Sequence, residues 1–455
     1  MKKSIPLRIF IVFFILVCAL PAALAPVLRA GSTKEQLSRF PAFIEDGKYN
    51  FEFFREFDTW FSEHFALRAQ LVTARSKILA KVLHTSSDAD VILGSDGMLY
   101  YTPTADDYLH TEMLSDTAIR NVAHNIRLLN AWCDANGADF VFTMAPDKPT
   151  IYPESMPKNY IPASTPNNTE RLKAELEGDG IYCDLIATLQ AVKESITEPV
   201  YYKTDSHWNA IGAMAARNAL VNMLPDNGRR DIFDSVTWDK RPDHEGDLAQ
   251  MLYPGDVPPD YAYYPDCDFT YTTQGAYMGL DDYIIDTVCD GVNGALLMFR
   301  DSFGEALIPF MAETFGKAQF SRLLPYDLTA AGDYDAVVIE MGERNLPRFY
   351  EQAPRIPAPE AVPPSDAVEP GTDEVNIITE KTGRFTCICG YMTGGYPADV
   401  PAVFYITVAG KTYEAFTSCE TEITGIGRNS GIPGFCLYIE GEVDASSVSV
   451  QVVFR

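Results

Sequence analysis

ALLMFRDSFG, residues 295–304, is a five-residue apolar run that breaks off into a polar turn. An apolar run this short, bounded by polar residues, fits a strand buried on both faces. DFVFTMA (139–145) and DAVVIE (335–340) repeat the pattern, and Gly180 to Cys183 reads as another short strand. Helical periodicity lies between them, from Asp116 to Asn136 with Gly137 as its stop, and again over WNAIGAMAARNALVNML, Trp208 to Leu224. Strands alternating with helices predict an α/β layered domain built on a parallel sheet. In such sheets ligands bind beyond the carboxyl ends of the strands, which puts Ser302 where a nucleophile belongs. A helix expected from Glu305 to Phe315 would supply free backbone N–H groups for a developing oxyanion. A plain N-cap role for Asp301 or Ser302 accounts for the same residues without chemistry.

Outward from this core the chain changes character several times. Lys2, Lys3 and Arg8 precede an apolar run from Ile9 to Val27 that Arg29 closes, long enough to cross a bilayer with positive charge inside. Ala23-Leu24-Ala25 resembles a cleavage site, but Pro26 directly after it hinders processing, so residues 1–30 read as a signal anchor in preference to a signal peptide. Either way the remainder is exported, and the expected location is the cell membrane with the bulk of the chain outside the cytoplasm. Residues 31–89 form a lead-in whose stretch from Phe51 to Leu83 has apolar positions at helical spacing. DVILGSDGMLYY (90–101) alternates like a hairpin around Ser95-Asp96-Gly97 and opens the expected catalytic domain, 90–352. The proline-dense stretch APRIPAPEAVPPSDAVEP places a stiff extended linker at 353–374. Residues 375–455, rich in Thr, Val, Tyr and Gly, read as a small antiparallel β-domain, a carbohydrate-binding or surface-docking module by architecture.

Composition narrows the class. With 47% hydrophobic residues among 455, the chain is rich enough to pack cores, and its length suits two or three domains. A net charge of -27 repels a phosphate backbone, so no nucleic-acid partner is expected. Of nine cysteines, Cys387, Cys389, Cys419 and Cys436 cluster late, where an oxidising exterior could pair them. The Cys-x-Cys spacing lacks a His or a second close Cys pair, so no zinc site is expected.

The second chemical stretch is YKTDSHWN, residues 202–209. In extended chain, residues two apart share a side, so Asp205 and His207 can lie together, the carboxylate holding the imidazole in one tautomer. Alone, such a pair is more often structural than catalytic, and it could also supply two metal ligands. His64, His84, His110, His124 and His244 show no triad-like neighbourhood.

Together, Asp205-Ser206-His207-Trp208 and Asp301-Ser302-Phe303, in that order after an N-terminal apolar segment, resemble the DHHW-type and alginate O-acetyltransferase-like (AlgX/AlgJ-like) branch of the SGNH hydrolase superfamily. The resemblance runs from about residue 40 to 350, and APDKPTIYP (145–153) and IEMGERNL (339–346) look like further landmarks. It implies a three-layer SGNH-hydrolase-like domain in which Ser302 is the nucleophile, His207 the general base and then acid, and Asp205 the residue that orients His207. The chain order of these residues is the reverse of ordinary SGNH enzymes, which a triad defined by geometry tolerates. The backbone N–H of Ser302 and a second donor, Arg344, Asn345 or Gly304, would hold the oxyanion. Arg300 stands where a Gly-Asp-Ser pattern has glycine, narrowing the pocket or gripping an anionic sugar, and Lys148 and Tyr152 are candidates to line the cleft. No cofactor or metal is implied.

The activity implied is transfer of acyl groups, acetyl foremost, to hydroxyls of an extracellular or cell-wall polysaccharide, with a multi-spanning membrane O-acyltransferase as the donor partner. Two alternatives share these residues: a carbohydrate acetylesterase with the same triad, and a non-catalytic cell-surface sugar-binding protein.

Overall fold

A computed structural model of the chain describes residues 7–15, 38–45, 47–64, 67–226, 232–233 and 236–455. The expected anchor, with Cys18, falls largely outside them; residues 7–15 are helical, and no helix among the described residues is long and apolar enough to cross a membrane. The chain divides into two compact units: Met1–Thr102 with Lys203–Ser206 and Pro242–Tyr261, and Pro103–Tyr202 with His207–Arg241 and Ala262–Arg455.

The larger unit is organised by a seven-stranded sheet. Its strands, in chain order, are β1 (Asp139–Ala145), β2 (Tyr182–Cys183), β3 (Thr272–Gln274), β4 (Ile284–Val288), β5 (Ala295–Phe299), β6 (Lys317–Ser321) and β7 (Ala336–Gly342), arranged spatially as β2-β1-β7-β5-β6-β4-β3. The first five in that spatial order are mutually parallel, and β4 and β3 add an antiparallel edge. Side chains alternate across the sheet. Phe140, Phe142, Leu297, Phe299, Val337 and Ile339 enter one core, shared with helix α1 (Asp116–Ala135). The intervening Val141, Leu296, Met298 and Val338 are also buried, on the face served by α2 (Leu185–Ser195), α3 (Ala210–Met223) and α4 (Ile308–Thr314). Burial on both faces is why these strands read as unbroken apolar runs, and the result is a three-layer α/β domain.

Two helix starts differ from expectation for local reasons. Asn209 is extended and its side chain accepts from the N–H groups of Ile211 and Gly212, so α3 begins at Ala210, two residues after Trp208. After Ser302 the chain makes a short 3-10 turn, Phe303–Ala306, and α4 begins only at Ile308, because Pro309 is tolerated in a first turn and nowhere deeper.

The proline-rich segment is extended and docks strand-like on the β-domain, Pro357 bridging to Tyr438, Glu360 to Tyr413 and Val368 to Val452. That domain has two antiparallel sheets: β8 (Val375–Thr382), β9 (Phe385–Met392) and β12 (Gly434–Glu440) in one, and β10 (Ala402–Val408), β11 (Lys411–Glu414) and β13 (Val448–Phe454) in the other. Ile388, Phe404, Ile406, Phe435, Leu437 and Val452 fill the space between them. The opposite face of β9 and β12, carrying Phe385, Cys387, Cys389, Cys436 and Tyr438, joins the same core as α1 and β1. Asn125 of α1 fastens the contact, donating to the Thr417 carbonyl and accepting from the Thr417 N–H, both at 2.9 Å and fully buried. The cysteines from Cys133 to Cys436 are free thiols, with the Cys387 and Cys436 sulfurs 3.5 Å apart.

In the smaller unit the hairpin Val91–Leu93 and Leu99–Tyr101 forms as its alternation requires, Asp96 and Gly97 taking positive φ in the turn. It packs with the helix Asp247–Leu252 through Val91, Leu99, Leu248, Ala249 and Leu252. The Leu99 N–H donates to the Lys203 carbonyl and the Ala249 N–H to that of Thr204, which ties Lys203–Ser206 into this unit.

The carboxyl ends of β1 and β7 are joined by buried acids. Glu343 accepts from the Asp147 N–H at 2.7 Å and from the Thr150 hydroxyl at 2.6 Å, while Asp147 pairs with Arg344. Asp107 completes a group whose carboxylate oxygens lie within 4.8 Å of one another. Burial raises all three pKa values, the Asp147 charge helping to push Asp107 up to about 7 while Arg344 opposes the rise at Asp147. Crowding of like charges away from water is what drives the three upward together.

Two outcomes follow from this packing. The Asp107 pKa is higher in the folded chain than its ordinary 3.8, so the unfolded chain ionises first and folding stability is lost as pH rises from about 4 to about 7. Asp107→Asn should abolish that loss, gaining on the order of a few kcal/mol over the wild type at pH 8 relative to pH 4, read from denaturant midpoints. Asn125→Ala should strand both Thr417 backbone groups and cost about 2–5 kcal/mol, with hydrogen exchange accelerated first around residues 415–420.

Candidate active site

Ser302 follows β5, the strand flanked by β7 and β6, and sits three residues beyond its carboxyl end. It has helical dihedrals and heads the 3-10 turn, yet its side chain caps nothing. Instead its Oγ lies 2.9 Å from His207 Nε2, across 95 residues of sequence.

The neighbours of Ser302 hold it there. The Asp301 carboxylate accepts from the Phe303 N–H at 2.9 Å, the Gly342 N–H at 2.7 Å and the Asn345 amide at 2.7 Å, fastening the turn to the end of β7. The Asp301 N–H in turn donates to Glu340, whose fully buried carboxyl is driven well above the usual range by desolvation and then by the Asp301 charge. On the other side, Trp208 Nε1 donates to the Phe303 carbonyl at 3.0 Å, and both side chains are fully buried. The Phe303 ring meets His207 edge-on at 5.0 Å, Trp208 at 5.1 Å and Tyr201 at 6.4 Å. The Asp-x-His-Trp and Asp-Ser-Phe segments therefore fit as two halves of one packed joint. Gly212 lets α3 approach closely behind His207, since a Cβ there would stand 2.3 Å from the Val200 carbonyl oxygen.

The other candidates occupy framing positions. Arg300, 2% exposed, donates to the carbonyls of Leu280 at 2.6 Å and Asp282 at 2.8 Å; burial, and then the Arg322 charge, lowers its pKa to about 10, so it stays charged. Gly304 packs on it, with room for a Cβ only 2.5 Å from the Arg300 Cβ and 2.9 Å from Glu340 Oε2. Arg344 lies over the Phe303 ring at 5.3 Å while pairing with Asp147, and Asn345 is engaged with Asp301. Tyr152 is buried, its hydroxyl accepting from the Val200 N–H at 3.0 Å. Lys148 is buried at the start of a short helix, Lys148–Ile151.

Asp205 belongs to the smaller unit and is 7% exposed. Its Oδ2 accepts from His244 Nε2 at 3.0 Å and from the Asp247 N–H at 3.1 Å. Sequence gives His244 no triad-like neighbourhood; the structure sets it beside Asp205, 39 residues away along the chain. The charged run WDKRPDH that ends in His244 forms a largely exposed strand, and nothing in its spacing signals a partner in Asp205.

A sequence profile described as "SGNH hydrolase-like domain, acetyltransferase AlgX" matches residues 91–282, a span that includes Asp205, His207 and His244 and ends before Ser302. A protein of Pseudomonas syringae pv. tomato named "Probable alginate O-acetylase AlgJ" is 26% identical over 223 residues, 47% of this chain and 54% of that protein. The chain thus spans about half the length of the curated relatives it matches. Among solved structures, PatB1 of Bacillus cereus aligns with 57% of this chain and 97% of its own at 18% identity and a TM-score of 0.44. A DHHW family protein from Eubacterium siraeum aligns with 50% of this chain and 85% of its own at 20% identity and a TM-score of 0.38. On a three-layer α/β fold, the chain is thus similar over residues 91–282 to the SGNH hydrolase-like domain of AlgX, and it is similar to the AlgJ proteins.

Proposed function

We propose that the protein transfers O-acetyl groups to hydroxyls of a polysaccharide outside the cytoplasm, by way of an acyl-enzyme on Ser302. The observation that carries the reading is the 2.9 Å approach of His207 Nε2 to Ser302 Oγ at the carboxyl end of a central parallel strand. The relatives named as alginate O-acetylases support acetyl as the group and a polysaccharide as the acceptor.

In the proposed cycle, His207 takes the Ser302 proton as Oγ attacks the acyl carbonyl, and returns it to the departing donor oxygen as the tetrahedral adduct collapses. An acceptor hydroxyl then gives its proton to His207, attacks the Ser302 ester, and leaves with the acyl group as Ser302 recovers a proton. Asp205 orients and stabilises the imidazolium in both halves. The Ser302 N–H is the proposed primary oxyanion donor; the Phe303 N–H is committed to Asp301, so it is not the second. The N-terminal apolar run is proposed to anchor the chain at the membrane beside a multi-spanning acyl donor, a reading supported by Lys2, Lys3 and Arg8 ahead of it.

Incubating the full chain with an activated acetyl ester and a soluble polysaccharide should yield acetylated polymer, and Ser302→Ala should lower the rate by at least about 10³-fold without unfolding the protein. Free acetate as the sole product would move the assignment to an acetylesterase, and acetylation undiminished in Ser302→Ala would end the catalytic reading. Trp208→Phe deletes one buried hydrogen bond and loosens the His207 mount. Its kcat should fall on the order of 10²-fold with little change in KM for the ester.

A further inference from the structure

We propose that His244 is a positioning residue for the acid of the triad, extending it to His244–Asp205–His207–Ser302. This rests on the reading of Asp205 as that acid. A carboxylate as buried as Asp205 needs partners, and a carboxylate only accepts, so His244 must carry its proton on Nε2 and donate it to Oδ2. The Asp247 N–H donates to the same oxygen. Two donors on Oδ2 stop the carboxylate from rotating about its Cβ–Cγ bond, which fixes where Oδ1 points.

The contact is built into the backbone. Asp247 accepts from both the N–H (2.8 Å) and the hydroxyl (2.5 Å) of Ser206, so consecutive residues 205 and 206 are gripped by the loop 244–247. Gly246 makes that grip feasible, because a Cβ there would stand 2.2 Å from the Thr204 carbonyl oxygen. Thr204 is held in turn, its N–H and hydroxyl donating to Asp260 at 2.8 and 3.0 Å. Charged groups near His244 include Asp205 and Asp247 with the chain neighbours Asp243 and Glu245, Asp260 lies next along at Thr204, and Lys240 and Arg241 stand earlier on the strand that ends in His244. Removing the His244 donor leaves Asp205 with more unshielded negative charge, and His207 then gives up its proton less readily.

The test is kcat and KM for p-nitrophenyl acetate across pH, using the detergent-solubilised full chain as wild type, Ser302→Ala, His244→Leu and His244→Gln. His244→Leu is expected to lower kcat on the order of 10-fold to 100-fold at little cost in KM, and to move the acid limb of kcat/KM to higher pH. His244→Gln keeps an N–H donor near the same point and should return the limb and most of the rate. A wild-type rate and pH profile in His244→Leu, with Ser302→Ala inactive, overturns the role of His244 and leaves the triad standing. His244→Gln as impaired as His244→Leu, with an unmoved limb, also overturns it. Turnover persisting in Ser302→Ala removes the underlying reading instead. If His244→Leu fails to fold, His244→Gln is compared with the shorter His244→Asn, and equal pH profiles in those two overturn the proposal.

Discussion

The site depends on a single buried hydrogen bond, from the Trp208 indole to the Phe303 carbonyl. An indole has one donor and no acceptor, so once buried it needs an acceptor, and here that is the carbonyl of Phe303, one residue past Ser302. The bond and the rings around it hold together two stretches 95 residues apart in sequence. Asp301 does the complementary work from the other side of Ser302, bonding the turn to Gly342 and Asn345. Ser302 is therefore the residue of its turn whose neighbours on both sides are committed to structure while its own hydroxyl faces the imidazole.

The electrostatic foundation is unusual for so acidic a chain. Glu340, Glu343 and Asp147 are buried at the carboxyl ends of β7 and β1, where desolvation raises their pKa values. Buried charge of one sign is costly, and the chain offsets part of the cost by setting Arg344 and Arg300 among these groups. Those arginines are thereby drawn into the frame. The same frame fixes Gly342 and Asn345 on the Asp301 side and Phe303 on the Trp208 side.

Much of this was legible in the residues. The buried parallel strands announce themselves as short apolar runs because both faces are covered; Asp-Ser-Phe stands out where polar residues end one such run, and Asp-x-His-Trp by the two-residue spacing of Asp205 and His207. What sequence could not supply were contacts between distant segments. His244 lies at the end of a charged strand and meets Asp205 only through the close approach of Gly246 to Thr204. Arg300, which sequence reads as narrowing the pocket or gripping an anionic sugar, donates to the carbonyls of Leu280 and Asp282, contacts its spacing does not signal. The β-domain reads as a separate module behind a proline-rich linker, yet β9 and β12 share a core with α1 because strand alternation leaves their second face apolar.

The most direct test of the account is to trap the intermediate. Full-length protein mixed with an activated acetyl ester and quenched in acid before turnover completes should gain the mass of one acetyl group, and peptide mapping should place it on Ser302. Steady turnover with acetyl found on another residue, or with none on the wild type at any quench time, would contradict it.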